Sequence, residues 1–267
     1  NSVFKPCLGG MQFGNRYFRC WQSRGHGTTT AAHAIEQSCD VYLYQLGLKL
    51  GVDGLSKYYG LCGFGSITEL DLPNESPGLN PNSEYYDKRY GVNQWTRALA
   101  MNNSIGQGEL LATPLQVAQF FCGLANDGVV YQPHIVKKII QPFGEETVLA
   151  PKVSFRLPFS EETLDVLMEG LRLVVEGEHG TARHLRNDLY SIGGKTGTAE
   201  NPHGENHSWF VGMAPLDRPE IVVCAIIENA GHGSDVAAPM VGQVIRAYME
   251  KKLGLNQIAG TETEAGE

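Results

Sequence analysis

Gly193-Gly194-Lys195-Thr196-Gly197-Thr198-Ala199 is the stretch on which the fold turns. It lies in the first of three runs, 190–199, 208–214 and 221–228, that read as strands separated by turns rich in Asn, Gly and Pro. A glycine in mid-strand weakens a sheet and marks the close approach of a ligand or another backbone. Three glycines around one lysine and two threonines therefore predict a strand against which an extended substrate lies, its carboxylate received by the hydroxyls and the ammonium. The plainer reading of a strand lysine is a solvated edge residue. Val222, Val223, Ala225, Ile226 and Ile227 form a nearly continuous apolar run, the pattern of a strand buried on both faces. Ser234 opens a last helix to about 253, with Val241, Val244, Ile245 and Tyr248 on one face. Helices, then strands, then a covering helix predict an α/β domain with an antiparallel sheet flanked by helices.

Toward the N-terminus the period is helical. Apolar spacing over 28–50 predicts a helix interrupted at Ser38-Cys39-Asp40, because short polar residues favour caps over helix interiors. Residues 60–93, with Pro73, Pro77 and Pro81, read as a long loop. Thr113-Pro114 reads as an N-cap with a first-turn proline, and Asn126-Asp127-Gly128 as the stop of that helix. Ser160-Glu161-Glu162 caps another helix to about 175. Residues 1–27, rich in Gly and aromatics, read as irregular, and the acidic tail 255–267 as disordered.

The chain has 267 residues, 42 % apolar and 19 % charged, enough for one large domain or two small ones. Its net charge of −8 repels phosphates and argues against a nucleic-acid or anionic-membrane binder. No run of 18 apolar residues spans a bilayer, and no signal peptide is present. The first residue is Asn rather than Met, so the sequence reads as an excised or partial piece, and the absence of an anchor in it does not bear on the full-length protein. Six cysteines are too sparse for a disulfide scaffold.

Ser2-Val3-Phe4-Lys5 places Ser and Lys one helical turn apart, a spacing at which a neutral lysine takes the serine proton. Ser-x-x-Lys alone is weak, and Ser38-Cys39-Asp40 alone reads equally as a helix cap. In the order Ser-x-x-Lys, Ser-x-Asp, Lys-Thr-Gly they are specific: this is the signature of penicillin-binding proteins and serine β-lactamases. The likeness continues through Asn103-Ser104-Ile105-Gly106-Gln107-Gly108, Ala112-Thr113-Pro114-Leu115-Gln116 and Trp209-Phe210-Val211-Gly212-Met213-Ala214-Pro215. The chain resembles the transpeptidase domain of class B penicillin-binding proteins. Asp40, where most relatives carry Asn, resembles the elongation-specific subgroup called penicillin-binding protein 2.

The resemblance implies the penicillin-binding/serine β-lactamase-like transpeptidase fold, with its N-terminal part missing. It implies Ser2 as nucleophile, Lys5 as its base, Ser38 as proton relay and Lys195 as the charge that polarises Ser38 and attracts a terminal carboxylate. Thr196, Gly197 and Thr198 would bind that carboxylate, and Asp40 would bind a stem-peptide amide or only orient its neighbours. The implied reaction is D,D-transpeptidation of peptidoglycan stem peptides ending in D-Ala-D-Ala, in cell-wall elongation and cell-shape maintenance, with no catalytic cofactor. The implied setting is the periplasmic face of the bacterial inner membrane. The implied partners are β-lactam antibiotics and a membrane glycosyltransferase of the elongation machinery, with no nucleic acid. The alternatives are a serine β-lactamase and a non-catalytic β-lactam sensor or scaffold. One departure stands out: Lys5-Pro6-Cys7-Leu8-Gly9-Gly10 cannot continue the buried helix that Ser-x-x-Lys opens in the family. A segment near 6–7 is therefore expected to be unresolved or deleted within the domain 1–254.

The cysteines carry a separate expectation. Cys7, Cys20, His26 and Cys39 fall within 33 residues, at spacings Cys-x12-Cys-x5-His-x12-Cys. Three thiolates and an imidazole are a sufficient tetrahedral set for structural zinc. The other readings are a Cys7–Cys20 disulfide and free buried thiols. His33 and His134 read as surface or satisfied histidines, Trp209 and Phe210 as packing, and Gln107 as a turn residue near the cleft.

Overall fold

The computed structural model describes residues 4–255, and the chain divides into two units, Asn1–Leu171 and Arg172–Glu267. The tail expected to be disordered lies, apart from Leu255, outside the described residues.

The first unit opens with β1 (Gly10–Phe13) and β2 (Arg16–Arg19), an antiparallel hairpin. This corrects the irregular reading of 1–27. The strands are too short for a period to show, yet Gly14-Asn15 between them is a two-residue hairpin turn. The hairpin's flanks are tied down: Cys7 and Gly27 exchange backbone hydrogen bonds at 2.8 and 2.9 Å, and Cys20 N–H donates to Gly9 O at 2.9 Å. At Gly25, with φ +79°, an added Cβ would lie 2.1 Å from Cys7 O, so only glycine lets these segments pass so closely.

Helix α1 (Ala31–Glu36) starts at Thr30, whose hydroxyl accepts His33 N–H. Helix α2 (Asp40–Leu61) starts at Cys39, so Ser38 sits in the joint between them, as the sequence predicts. The expected end near residue 50 is a real break at Gly51 (φ 71°), after which the helix resumes. Helix α3 (Ser83–Tyr90) lies inside the stretch read as a loop. It has no apolar period; Asn82 caps it and Tyr86 alone is buried, which is why a periodicity reading misses it. Helix α4 (Ala98–Ser104) packs against α2, where Arg97 Nη2 donates to Leu48 O at 2.6 Å. Helix α5 (Pro114–Leu124) begins with the expected cap. Thr113 and Gln116 form a reciprocal capping box, worth about 1 kcal/mol.

Strands β3 (Val129–Tyr131), β4 (Lys138–Ile140), β5 (Glu146–Val148) and β6 (Val153–Arg156) follow. β3 pairs with β6, and β4 with β5, both antiparallel. Helix α6 (Glu161–Glu176) is led by Ser160, whose hydroxyl accepts Thr163 N–H. The core beneath the Ser38 joint gathers Cys7, Phe18, Cys20, Ala34, Cys39, Val41, Tyr44 and Met101. Two of these bury aromatic rings edge to face, Phe18 and Tyr44, with centroids 5.7 Å apart.

The second unit carries β7 (Gly193–Ala199), β8 (His207–Ala214) and β9 (Ile221–Ile227), an antiparallel sheet in the order β7-β8-β9. Helix α7 (Ala237–Lys252) covers β8 and β9 through Val241, Ile245 and Met249. The helix begins three residues after Ser234. Its first amide is satisfied by buried Ser208 Oγ, which accepts Ala237 N–H at 3.0 Å and donates to His232 O at 2.9 Å. The centre of the sheet is β8, with Phe210 and Met213 buried. β9 corrects a second expectation: among the described residues it is an edge strand, every residue half-buried. Its apolar run reflects one covered face and one partly covered face rather than two buried ones. Among the described residues no helix is long and apolar enough to cross a membrane.

Candidate active site

The expected site residues fall in both units, and each group is built by its own unit. Ser2 lies outside the described residues. Phe4, Lys5 and Pro6 have no regular secondary structure, and Pro6 biases the residue before it away from helix. Gln45 of α2 grips Lys5 at both ends: its Oε1 accepts Lys5 N–H at 2.8 Å and its Nε2 donates to Lys5 O at 3.0 Å. Phe4 stacks edge-on against Tyr42, also on α2, at 4.8 Å. Lys5 itself is exposed.

Ser38 sits between α1 and α2 with φ +51°. A serine in the left-handed region costs on the order of 1 kcal/mol, so the surroundings must hold it there. Ser38 N–H donates to Ile35 O, Cys39 N–H to Ala34 O at 2.9 Å, and Gln37 N–H to His33 O at 3.0 Å. Below the joint, Glu36 is buried and its carboxylate meets His33 Nδ1 at 2.7 Å, the satisfied histidine the sequence predicts. Asp40 is the first residue of α2, where a carboxylate complements the helix dipole. Its Oδ2 accepts Trp21 N–H at 2.9 Å.

Cys7, Cys20, His26 and Cys39 come together, one donor atom of each lying within 4.8 Å of the others. The three cysteines are buried and none is in a disulfide. His26 Nδ1 stands 3.5 Å from Cys20 Sγ, matching the roughly 3.6 Å edge of a tetrahedron with ordinary Zn–S and Zn–N bonds. The buried Nε2 of His26 has no hydrogen-bond partner among the described residues. The Cys39 thiol donates to Cys20 and holds its pKa well down, and the amides of Gln22, Asp40 and Val41 act in the same direction. The corresponding cost appears on Cys39, whose thiol is pushed up by Cys20 and by burial. A thiolate on Cys20, favoured by the amides that open α2, is the ligand form a metal needs. The residue set fits a structural zinc.

A turn in the first unit is tied down by other contacts. Tyr59 OH donates to Asn103 O at 2.7 Å, and Asn103 Nδ2 donates to Tyr86 OH at 3.0 Å, with Asn103 and Tyr86 buried and Tyr59 half-buried. They anchor residues 103–108, where Gly106 and Gly108 take φ +76° and +79°. The sequence signals residues 103–108 but not their anchors: Tyr86 falls in the run 60–93 that reads as a loop, and Tyr59 lies beyond the helix expected to end near residue 50.

In the second unit, Lys195, Thr196, Gly197 and Thr198 of β7 stand opposite Val211, Phe210, Trp209 and Ser208 of β8. Lys195 Nζ donates to Thr196 O at 2.9 Å. Thr196 Oγ1 and Thr181 Oγ1 are 2.8 Å apart, and Thr198 Oγ1 accepts Gly233 N–H at 3.3 Å. Other backbone segments come close to this strand. A Cβ on Gly233 would lie 2.3 Å from Gly197 O, and one on Gly194 would lie 2.4 Å from Val211 O. Among the described residues β7 is an edge strand, and such an edge can take an extended peptide by backbone pairing.

The family described as penicillin binding protein transpeptidase domain matches residues 4–246. The chain belongs to it. The transpeptidase domain is 34 % identical to the peptidoglycan D,D-transpeptidase MrdA of Haemophilus influenzae, over 94 % of this chain and 41 % of that protein. The chain thus spans less than half the length of this relative. Its fold is that of Pseudomonas aeruginosa PBP2 solved in complex with WCK 5153 (TM-score 0.79, 35 % identity, 92 % of this chain and 53 % of that one). It is also similar to a chain of a peptidoglycan synthase complex in which polymerization and crosslinking are structurally coordinated (TM-score 0.80, 34 % identity, 93 % of this chain and 42 % of that one). The helix-flanked antiparallel sheet of the transpeptidase domain is therefore the penicillin-binding fold expected from the motifs.

Proposed function

We propose that the chain is the transpeptidase domain of an elongation-type class B penicillin-binding protein. It cross-links peptidoglycan stem peptides ending in D-Ala-D-Ala, and β-lactams acylate it as substrate mimics. The observation that carries this is the order of three motifs, Ser2 to Lys5, Ser38 to Asp40 and Lys195 to Gly197, in a chain that matches the family over 4–246. Support for the later steps comes from Ser38 at a fixed joint and from the threonine-rich edge strand.

In this reading Ser2 Oγ attacks the donor carbonyl, forming an ester as the amide to the last D-Ala breaks. Lys5 takes the serine proton, and Ser38 passes a proton to the leaving amine. Lys195 polarises Ser38 and attracts the terminal carboxylate, which Thr196 and Thr198 bind around Gly197. The backbone N–H groups of Ser2 and Thr198 receive the developing oxyanion. Asp40 contacts the stem-peptide amide, with Trp21 N–H holding its carboxylate in place. An amine of a second strand then attacks the ester, restoring Ser2 and completing the cross-link. The domain works on the periplasmic face of the cytoplasmic membrane, tethered by an anchor elsewhere in the full protein. It acts beside a membrane glycosyltransferase of the elongation machinery, as a relative's place in a peptidoglycan synthase complex suggests. A family segment is missing near 6–7. Intact-mass analysis with and without benzylpenicillin tests the reading: one covalent adduct forms, and peptide mapping places it on residue 2. Adduct-free protein, or rapid release of hydrolysed drug in the manner of a β-lactamase, overturns it.

The same reading includes one structural zinc held by Cys7, Cys20, His26 and Cys39. Cys7, Cys20 and His26 beside the hairpin and Cys39 at the cap of α2 would hold the metal, which would supply a structural cross-link and no catalytic step. Metal analysis of protein purified without chelator finds about one zinc per chain. Cys20→Ser or His26→Ala loses it, and acylation slows although neither residue touches substrate. Metal-free protein with a Cys7–Cys20 disulfide decides against it.

A further inference from the structure

Trp21 has an unusual position for a tryptophan: its side chain is 60 % exposed, so burial does not explain it, yet it makes three hydrogen bonds to one joint. Its indole Nε1–H is shared between Gln37 O at 2.9 Å and Ser38 O at 3.0 Å. Its backbone N–H donates to Asp40 Oδ2 at 2.9 Å. One residue therefore grips the carbonyl before Ser38, the carbonyl of Ser38 itself and the carboxylate two residues on. Ser38 between these grips is the left-handed residue, with φ +51°. Turning Ser38 to an ordinary extended or helical φ would swing the Gln37–Ser38 and Ser38–Cys39 peptide planes and break the shared indole bond. The ring also meets His26, with ring centroids 5.5 Å apart at a tilt of 55°.

We infer that Trp21 is a positioning residue for the acyl-transfer reaction: its indole N–H locks the Gln37–Ser38 backbone and so fixes where Ser38 Oγ points. This rests on the reading of Ser38 as proton relay. A relay needs its hydroxyl placed to within a fraction of an ångström, and a small displacement is felt directly in the chemical step.

Two variants remove the indole donor. Trp21→Phe keeps an aromatic ring, and β-(3-benzothienyl)alanine at position 21 keeps the shape with sulfur in place of N–H. Because the side chain is largely exposed, both leave the thermal transition and the metal content near the parental values. The acylation rate constant for benzylpenicillin falls about ten- to a hundredfold, while the dissociation constant of the non-covalent complex is unchanged. The deciding measurement is the cycle with Ser38→Ala. Ser38→Ala alone slows acylation, and adding Trp21→Phe to it slows acylation no further, because there is no longer a hydroxyl to place. If Ser38→Ala acylates at the parental rate, the relay reading fails and this inference with it. If Ser38→Ala is slow but the two position-21 variants are not, only the role of Trp21 is overturned. Multiplying effects in the double variant also overturn it, since they would show that Trp21 acts through general loosening of the site.

Discussion

Ser2→Ala abolishes covalent labelling by fluorescent penicillin. The acyl-enzyme is an ester, and without Ser2 Oγ there is no oxygen to form it. Three other hydroxyls of the expected site are poor substitutes. Thr196 Oγ1 is engaged with Thr181 at 2.8 Å, Thr198 Oγ1 already accepts Gly233 N–H, and Ser38 is held at a strained joint with its own role. The variant stays folded. Losing one hydroxyl costs about 1 kcal/mol at most, a shift of about 2 °C in a domain of this size. Gel fluorescence beside a melting curve checks both halves, and persistent labelling sinks the assignment of Ser2.

Lys195→Ala slows acylation by about 10³-fold or more. In the proposed reaction the ammonium has two tasks that alanine cannot share, attraction of the substrate carboxylate and polarisation of Ser38. No neighbouring cation on β7 replaces it, since Gly193, Gly194, Thr196, Gly197, Thr198 and Ala199 make up the rest of the strand. Thr198→Val is the calibrating comparison. It keeps the shape of the side chain but loses one hydroxyl and, with it, the acceptor of Gly233 N–H. An unmade hydrogen bond costs roughly 1–3 kcal/mol, or about 5- to 150-fold in rate. Stopped-flow acylation of the two variants measures the contrast, and parental rates in both would remove β7 from the site.

The strands around Lys195 were readable because the antiparallel sheet writes itself locally: turn residues, β-branched runs and glycines at a packed edge all occur within a few residues of one another. Thr113-Pro114 and Ser160 were readable for the same reason, since a cap is a contact between residues three apart. The hairpin at 10–19 and helix α3 were not, because neither has enough apolar residues to set a period. Each is held by distant partners: the hairpin by Gly27 and Gly9 through Cys7 and Cys20, and α3 by Tyr86 packed on Trp95.

The sequence by itself determined the order of Ser-x-x-Lys, Ser-x-Asp and Lys-Thr-Gly, the family they belong to, and the residue types available for acyl transfer. It also singled out Cys7, Cys20, His26 and Cys39 as a possible donor set. Only the tertiary structure decided that these four donors meet within 4.8 Å, that Ser38 takes a left-handed φ, and that Trp21 grips the joint that holds it. The physical reason is the range of the interactions. Caps, turns and strand periods are fixed by neighbours along the chain, whereas a hydrogen bond between residues 16 or 17 apart exists only once β2 has folded back beside the start of α2.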